Sequence, residues 1–317
     1  MSDLFDHRQV RRAFSRAAHH YDDAAALQRE VGARLLESLD YYDERALREA
    51  QGGKPRAPQR VLDIGCGPGH AAVQMQQRWP KAQVIALDLA LPMAREARDN
   101  ARQMRPAVSN PVLRLLASRP QPLCADARAL PLADGSVDVL FSNLCLQWVE
   151  DLPAVFAGFR RVLRPDGLMV LSTFGPDTLW ELREAFGHAD SAPHVSPFAS
   201  IAQFGDALIA AGFKDPVLDR DEFHMQHDSL ADLMRELRTL GATNALSTRR
   251  RSLTGRARFA RAGQAYEPMR HDGRLPATWE VISAQAWGPP PGTPIRVGGV
   301  DEVAVPLSAI PVRRRAP

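Results

Sequence analysis

Lysine is nearly missing from this chain of 317 residues: of 40 basic side chains only Lys54, Lys81 and Lys214 are lysine, so 37 are arginine. Cysteine is scarce as well. Cys66, Cys124 and Cys145 stand at wide, irregular spacings, which excludes both a disulfide framework and a metal knuckle. No apolar run approaches the ~18–20 residues of a membrane span. The first residues, Met1 to Phe14, lack the apolar stretch of a secretory signal. These absences describe a soluble protein of a reducing, cytoplasmic compartment. What is present is ordinary: 45% hydrophobic and 24% charged residues, which rules out wholesale disorder. The length fits one domain of about 200–250 residues with appendages, or two small domains. A chain this long buries roughly three quarters of its unfolded surface without staples. A net charge of +3 permits an acidic partner without demanding one. The arginine excess is a compositional bias, or a store of planar forks for phosphates and carboxylates.

Apolar spacing organises the chain. Val10, Phe14, Ala17 and Tyr21, then Leu27, Val31, Leu35 and Leu39, predict helix over residues 8–39 within an N-terminal segment of residues 1–42. The polar stretch 43–59, with Gly52, Gly53, Pro55 and Pro58, reads as a linker. A strand at 60–65 is followed by a helix near 71–78, a strand at 83–88 and a helix near 92–102. Residues 105–122 contain four prolines and read as a surface insertion. Short strands at 123–126, 137–142 and 167–173 follow, with a helix at 152–162 between the last two. Strands separated by helices every 20–35 residues predict an α/β fold with a doubly wound, parallel sheet. Helices near 176–186, 201–211, 229–240 and 254–269 and strands near 217–225 and 278–287 complete a domain over 60–288. Residues 289–317 read as an irregular, proline-rich tail.

Chemistry is concentrated at the strand ends. Val61-Leu-Asp-Ile-Gly-Cys-Gly-Pro-Gly69 lies between a strand and a helix, where glycines let the backbone turn and approach a ligand. In an open parallel sheet this is the crevice where ligands bind. The spacing differs from the dinucleotide pattern G-x-G-x-x-G, because Gly65, Gly67 and Gly69 alternate. Asp88 ends the next strand, where a carboxylate can accept both ribose hydroxyls. Asp126 ends the third, positioned to accept from an adenine amine. Ser142-Asn143-Leu144 ends the fourth. Each acid alone is as readily a turn or cap residue; the glycine loop, Asp88, Asp126 and Ser142-Asn143-Leu144 on successive strand ends form a pattern.

That pattern resembles the class I S-adenosylmethionine-dependent methyltransferases. Asp63, Gly65, Gly67, Asp88, Asp126 and Asn143 match the family's motif positions, with Leu89 and Ala127 beside the acids. The resemblance implies S-adenosyl-L-methionine as cofactor and a seven-stranded, mostly parallel Rossmann-like sheet whose last strand is antiparallel. It also implies a helical lid insertion, about 226–272, between the last two strands. Four further segments narrow it: Val10-Arg-Arg-Ala-Phe-Ser-Arg-Ala-Ala-His-His-Tyr21, Asn143-Leu-Cys-Leu-Gln147-Trp148, Leu240-Gly-Ala-Thr-Asn244 and Gly273-Arg-Leu-Pro-Ala-Thr-Trp279. They are similar to the malonyl-[acyl-carrier protein] O-methyltransferases of biotin synthesis, over residues 8 to 288. The resemblance implies methylation of the free carboxylate of a malonyl thioester on an acyl-carrier protein or coenzyme A. Such a carboxylate, with a reference pKa of ~4, is ionised at neutral pH and needs no general base. Tyr21, Arg16 and Arg274 are the candidates to position it. Arg249, Arg250, Arg251, Arg256, Arg258 and Arg261, in a run without acids, are the candidate docking face for the carrier. An RNA-binding patch or a solvated helix face would look the same, although no nucleic-acid partner is expected. Cys66, the histidine pair His224 and His227, and His19 and His20 supply no catalytic constellation or metal site. Trp148, Trp180 and Trp279 read as core or lid packing. Two other readings remain open: methylation of another small carboxylic acid, as in trans-aconitate methyltransferases, and a methyltransferase-like complex I assembly factor or protein arginine hydroxylase. The acidic Asp3 and Asp6 disfavour a mitochondrial targeting peptide.

Overall fold

The apolar segments at 60–64, 83–88, 137–142 and 163–174 become the inner strands of a single sheet. The structure, a computed structural model, describes residues 4–50, 56–104, 118–250, 252, 255–297 and 300–303. In chain order the strands are β1 (Arg60–Ile64), β2 (Gln83–Asp88), β3 (Gln121–Cys124), β4 (Val137–Ser142), β5 (Leu163–Phe174), β6 (Lys214–His227) and β7 (Leu275–Trp287). They lie in the order β3-β2-β1-β4-β5-β7-β6. The first five are parallel, and β7 runs antiparallel to both β5 and β6. The chain reverses direction across the sheet between β1 and β4. Ligands bind beyond the strand ends at such a switch point.

Burial follows this topology. Every residue of β4 is buried, Asp138 included. That carboxylate accepts from the backbone N–H of Gln59 and Arg60, each at 2.8 Å, and from Arg164 at 2.5 Å. A charge in the sheet interior is therefore both paired and hydrogen-bonded, as burial requires. Phe156 and Phe159, on the helix Leu152–Val162, fill one face of the sheet. Met75 and Trp79, at the end of the helix His70–Arg78, fill the other with Leu35 and Leu39.

Four sequence expectations change here. The long N-terminal helix is broken into α1 (His7–Ala17), α2 (Tyr21–Ala24) and α3 (Ala26–Glu37). The apolar spacing jumps by six residues from Tyr21 to Leu27, so one straight helix cannot keep both on one face. Residues 43–59 are only partly a linker. A helix, Asp40–Glu49, occupies their beginning, with Asp43 bonded to Arg78 and to the Trp79 indole N–H at 3.0 Å; residues 51–55 lie outside the described residues. The tail is also not wholly irregular, because Ile295–Val297 pairs with Val300–Glu302; residues 304–317 lie outside the described residues. The third strand sits two residues earlier than expected, at 121–124, and residues 105–117 of the expected insertion are likewise outside them.

Between β6 and β7 the chain forms the helices Leu230–Thr239 and Arg256–Tyr266. The N-terminal segment is stitched to this insertion. Phe5 bridges Leu246, the Asp6 N–H donates to Ala245 O at 2.8 Å, and Asp6 pairs with Arg249 at 2.9 Å. Two segments distant in sequence thus form one cover over the strand ends.

Candidate active site

Beyond the carboxyl ends of β1, β2 and β4 lies a cavity. Its walls carry Gly65, Gly67, Asp88, Leu89, Asp126 and Ala127, all anticipated from sequence. Gly65 and Gly67 have φ of 69° and 52°, the left-handed region that favours glycine. A β-carbon on Gly65 would lie 2.6 Å from Cys145 Cβ. On Gly67 it would project toward the Tyr21 ring, 3.9 Å from Cε1, and narrow the cradle.

Asp88 is buried and holds the loop. Its Oδ2 accepts from Gly67 N–H at 3.0 Å and its Oδ1 from Ala90 N–H at 2.7 Å. Burial pushes its pKa up to about 6, against the lowering effect of those two amides. Asp63, in β1, sits beneath the loop and does not line the cavity. It is buried, and its Oδ2 has no hydrogen-bond partner. Burial, with the neighbouring Asp88 charge, pushes its pKa up to about 8 although the Ala72 amide opposes the shift. Two buried carboxyls with one atom unsatisfied create a negative potential that a cation at the cavity floor would relieve. Asp126 behaves differently. Burial raises its pKa, but Arg128, gripping both oxygens at 2.6–3.2 Å, and its own amide bring it below the usual carboxylate range.

Asn143 lines the same cavity, yet its side chain already has work. Nδ2 donates to Gln28 O at 2.8 Å and Oδ1 accepts from the Ser172 hydroxyl at 2.8 Å. It ties α3 to β4 and β5. Next to it, Leu144 has φ 47°, a strained conformation for a branched side chain. Its amide donates to Ser172 Oγ at 3.0 Å, which holds that strain in place.

A second, larger cavity of about 660 Å³ adjoins the first and shares Phe14, Tyr21, Leu144 and Trp148 with it. The Trp148 ring meets Phe14 edge-on at 5.5 Å and Phe5 at 6.0 Å. Half-buried Tyr21, at the start of α2, stands between the two cavities. Burial pushes its phenol well above its ordinary value, with the Asp88 charge adding to the shift. A neutral hydroxyl is therefore maintained at the junction. The walls of the larger cavity are largely apolar, including Phe174, Leu182, Phe186, Phe198 and Trp279.

Not every anticipated residue comes to this place. Arg16 is exposed in the last turn of α1 and lines neither cavity. Arg274 is in the turn that leads into β7, paired with Asp228 at 3.6 Å, and is likewise apart from both. Arg249 and Arg250 do line the larger cavity. The acid-free run of sequence acquires acids in space: Arg249 meets Asp6, while Arg250 and Arg258 meet Asp190 at 3.3 and 3.6 Å. Arg261 donates to Ala189 O at 2.9 Å. Arg251 lies outside the described residues. The sequence reading passed over Gln147 and Thr243 and assigned Trp148 and Trp279 to packing, although all four lie in the segments that carried the narrower resemblance.

The glycine loop at the switch point, the acids on successive strand ends and the sheet order define a class I S-adenosylmethionine-dependent methyltransferase. The family described as "Methyltransferase domain" matches residues 62–171. The YcgJ protein from Bacillus subtilis shares the fold, with a TM-score of 0.52 and 18% identity over 80% of this chain and 99% of that one. The chain is 53% identical to the malonyl-[acyl-carrier protein] O-methyltransferase of Xylella fastidiosa (strain M23), over 99% of each chain. It is 36% identical to the biotin biosynthesis bifunctional protein BioHC of Saccharophagus degradans, over 86% of this chain and 45% of that one. The chain belongs to the malonyl-[acyl-carrier protein] O-methyltransferase family.

The residues present fit the cofactor. Gly65 and Gly67 leave the backbone accessible, Asp88 and Asp126 present carboxylates at the rim, and Asp63 lies unsatisfied below. When bound, S-adenosylmethionine supplies a sulfonium-activated methyl group, which needs no metal or redox partner to transfer.

Proposed function

We propose that this protein methylates the free carboxylate of malonyl-[acyl-carrier protein], giving the methyl ester that begins the acyl chain of biotin. The observation that carries the reading is the pair of adjoining cavities that share Tyr21, Phe14, Leu144 and Trp148. One is suited to the cofactor. The other is an apolar space reaching from the methyl-transfer junction toward arginines. The names of the relatives point to the same substrate.

The chemistry asks little of the protein beyond placement. The malonyl carboxylate is already an anion at neutral pH, so no side chain has to remove a proton. Alignment and water exclusion are what the chain contributes, and orientation can supply roughly 7–11 kcal/mol of a barrier. Phe14, Trp148 and the ring of Tyr21 shield the junction, while the Tyr21 hydroxyl offers a donor to the incoming carboxylate. Arg256, Arg258 and Arg250, with Arg238 at the larger cavity, form a basic face for the acidic carrier protein. Three free cysteines accord with a reducing setting, and we place the reaction in the cytoplasm. Among the described residues no helix is long and apolar enough to cross a membrane.

The test is transfer of labelled methyl from S-adenosylmethionine to malonyl-carrier protein, malonyl-coenzyme A or trans-aconitate. Labelling of the malonyl thioesters alone is expected. Labelling of trans-aconitate instead, or cofactor binding with no transfer to any of the three, would overturn the proposal.

A further inference from the structure

A cluster of titratable side chains stands in the wall of the larger cavity, outside the cofactor cavity. Asp190 and His194 lie in the loop after the helix Trp180–Gly187, and His194 lines the larger cavity. His194 Nε2 meets Asp190 Oδ1 at 2.8 Å, with side chains 16% and 11% exposed. The imidazole lies flat on the Phe186 ring at 4.1 Å and 21°. Phe186 belongs to the apolar cluster that also holds Phe174 and Leu144, the latter at the junction of the two cavities. The loop is pinned from the insertion: Asn244 Nδ2 donates to Pro193 O at 2.6 Å and Arg261 to Ala189 O at 2.9 Å. A carboxylate, an aromatic ring and tethered backbone thus fix where His194 stands.

One ring nitrogen has no such tie. Nδ1 has no hydrogen-bond partner among the described residues and, unlike His227 Nδ1, it is not sealed from solvent. Asp190 also accepts from the Ala192 N–H at 3.1 Å and meets Arg250 and Arg258 at 3.3 and 3.6 Å. The hydrogen bond from His194 outweighs burial and, with the Ala192 amide and the Arg250 charge, keeps its carboxyl below the usual carboxylate range. An ionised carboxylate opposite Nε2 requires the hydrogen there, so in the neutral ring Nδ1 carries a lone pair. Only the imidazolium can donate from it. On the helix beneath the ring, Glu181 is bonded to Thr278 and Arg183 to Pro176 O, while Glu184 and His188 are exposed. Arg249 is matched by Asp6. Arg250 and Arg258 share the single Asp190 charge, and exposed Arg238 adds a cation to the same cavity, so the wall carries an excess of positive charge. A carboxylate anion answers both features: it accepts from a protonated Nδ1 and offsets the excess.

We propose that His194, protonated as the substrate enters, donates from Nδ1 to the malonyl carboxylate and is a specificity-determining residue for the acid over its ester. This deepens the function proposed above and rests on it. The substrate arrives as an anion and leaves as a neutral methyl ester. With the carboxylate gone, the imidazolium has lost that acceptor and returns its proton to water. The site therefore separates the acid it takes in from the ester it releases, and binding of the acid is linked to uptake of a proton.

The experiment is calorimetry of malonyl-pantetheine and of acetyl-pantetheine, which lacks the carboxylate, on protein loaded with S-adenosylhomocysteine so that no methyl is transferred. At pH 8 an imidazole is ordinarily neutral, and titrations in buffers of different ionisation enthalpy count the protons taken up. Wild type should take up about one proton with malonyl-pantetheine and none with acetyl-pantetheine. Its affinity for the malonyl ligand should fall by up to about tenfold from pH 7.5 to 8.5, and that for the acetyl ligand should not move. His194→Gln keeps a donor for Asp190 and has nothing at the Nδ1 position. It should bind malonyl-pantetheine roughly 10–100-fold more weakly, the worth of a hydrogen bond to a charged group, and without proton uptake. Its affinity for acetyl-pantetheine should stay within about twofold of wild type, which a misfolded variant could not achieve. If wild type methylates malonyl-pantetheine but His194→Gln binds it as tightly and still takes up the proton, the assignment is overturned and the proposed function stands. If binding is proton-linked and depends on His194 but no methyl is transferred in the labelling assay, the carboxylate site is upheld and the proposed function fails. Equal binding of the two ligands by wild type would also overturn the assignment.

Discussion

Replacing Asp63 by Asn tests the electrostatics of the cofactor floor. In this fold the carboxyl is 2% exposed, one oxygen is unpartnered, and burial pushes its pKa up to about 8 against an ordinary 3.8. The native state therefore holds this proton more tightly than the unfolded chain does. The stabilisation from protonation is complete below about pH 4 and is lost as the pH rises through about 8. At pH 7, some three units above 3.8, the penalty is on the order of 4 kcal/mol at 1.36 kcal/mol per unit. Asn removes that penalty but leaves a buried amide whose unmet hydrogens cost about 1–3 kcal/mol. A net gain of roughly 1–3 kcal/mol remains, or about 2–8 °C in Tm for a chain of this size. The cationic cofactor should respond in the opposite sense, because it favours the ionised carboxylate that Asn abolishes. Differential scanning calorimetry from pH 5 to 8, with and without S-adenosylmethionine, checks both halves. Wild-type apoprotein should lose Tm steadily across that range, the variant should lose less, and the cofactor should stabilise the variant less than wild type. An apo Asp63→Asn protein that is less stable than wild type at pH 7 and keeps full cofactor-induced stabilisation would refute the argument.

Tyr21→Phe removes a hydroxyl but no ring from the junction, so kcat should fall about tenfold while cofactor affinity, measured calorimetrically, stays unchanged. Gly65→Ala forces a β-carbon into a left-handed residue and against Cys145; we expect a loss of at least about 2–3 kcal/mol in urea unfolding, with cofactor binding lost in parallel. Arg238→Glu with Arg256→Glu should raise KM for malonyl-carrier protein several-fold at low salt and leave KM for malonyl-pantetheine unaltered. Equal effects on the two substrates would refute a docking role for these arginines.

The parallel sheet was legible because its information is local. Each of β1, β2 and β4 is a run of apolar residues bounded by a turn signal, and the glycine loop marks the first crossover without any partner being known. The N-terminal segment was harder. Its fourfold apolar spacing is real on either side of residues 18–25, but a break there depends on Tyr21 turning toward Gly67, a contact 46 residues away in sequence. The helix Asp40–Glu49 was masked by its polar composition. It is held by pairs such as Asp43 with Arg78, which lie on the surface of another helix and leave no periodic apolar trace.

The same division runs through the site. Gly65, Gly67, Asp88 and Asp126 were readable because a cofactor bound at strand ends constrains residues at strand ends. The second cavity obeys no such rule, since its walls come from α3, the turn after β4, the insertion and β7. A charge pattern along the chain misled there for a physical reason: an arginine run free of acids in sequence meets Asp6 and Asp190 once the N-terminus and the insertion close over the sheet. Charge in this protein is thus largely spent on joining the cover to itself. The residues that line this cavity, Arg238 and Trp279 among them, come from elements far apart in sequence, and only the folded chain brings them to one wall.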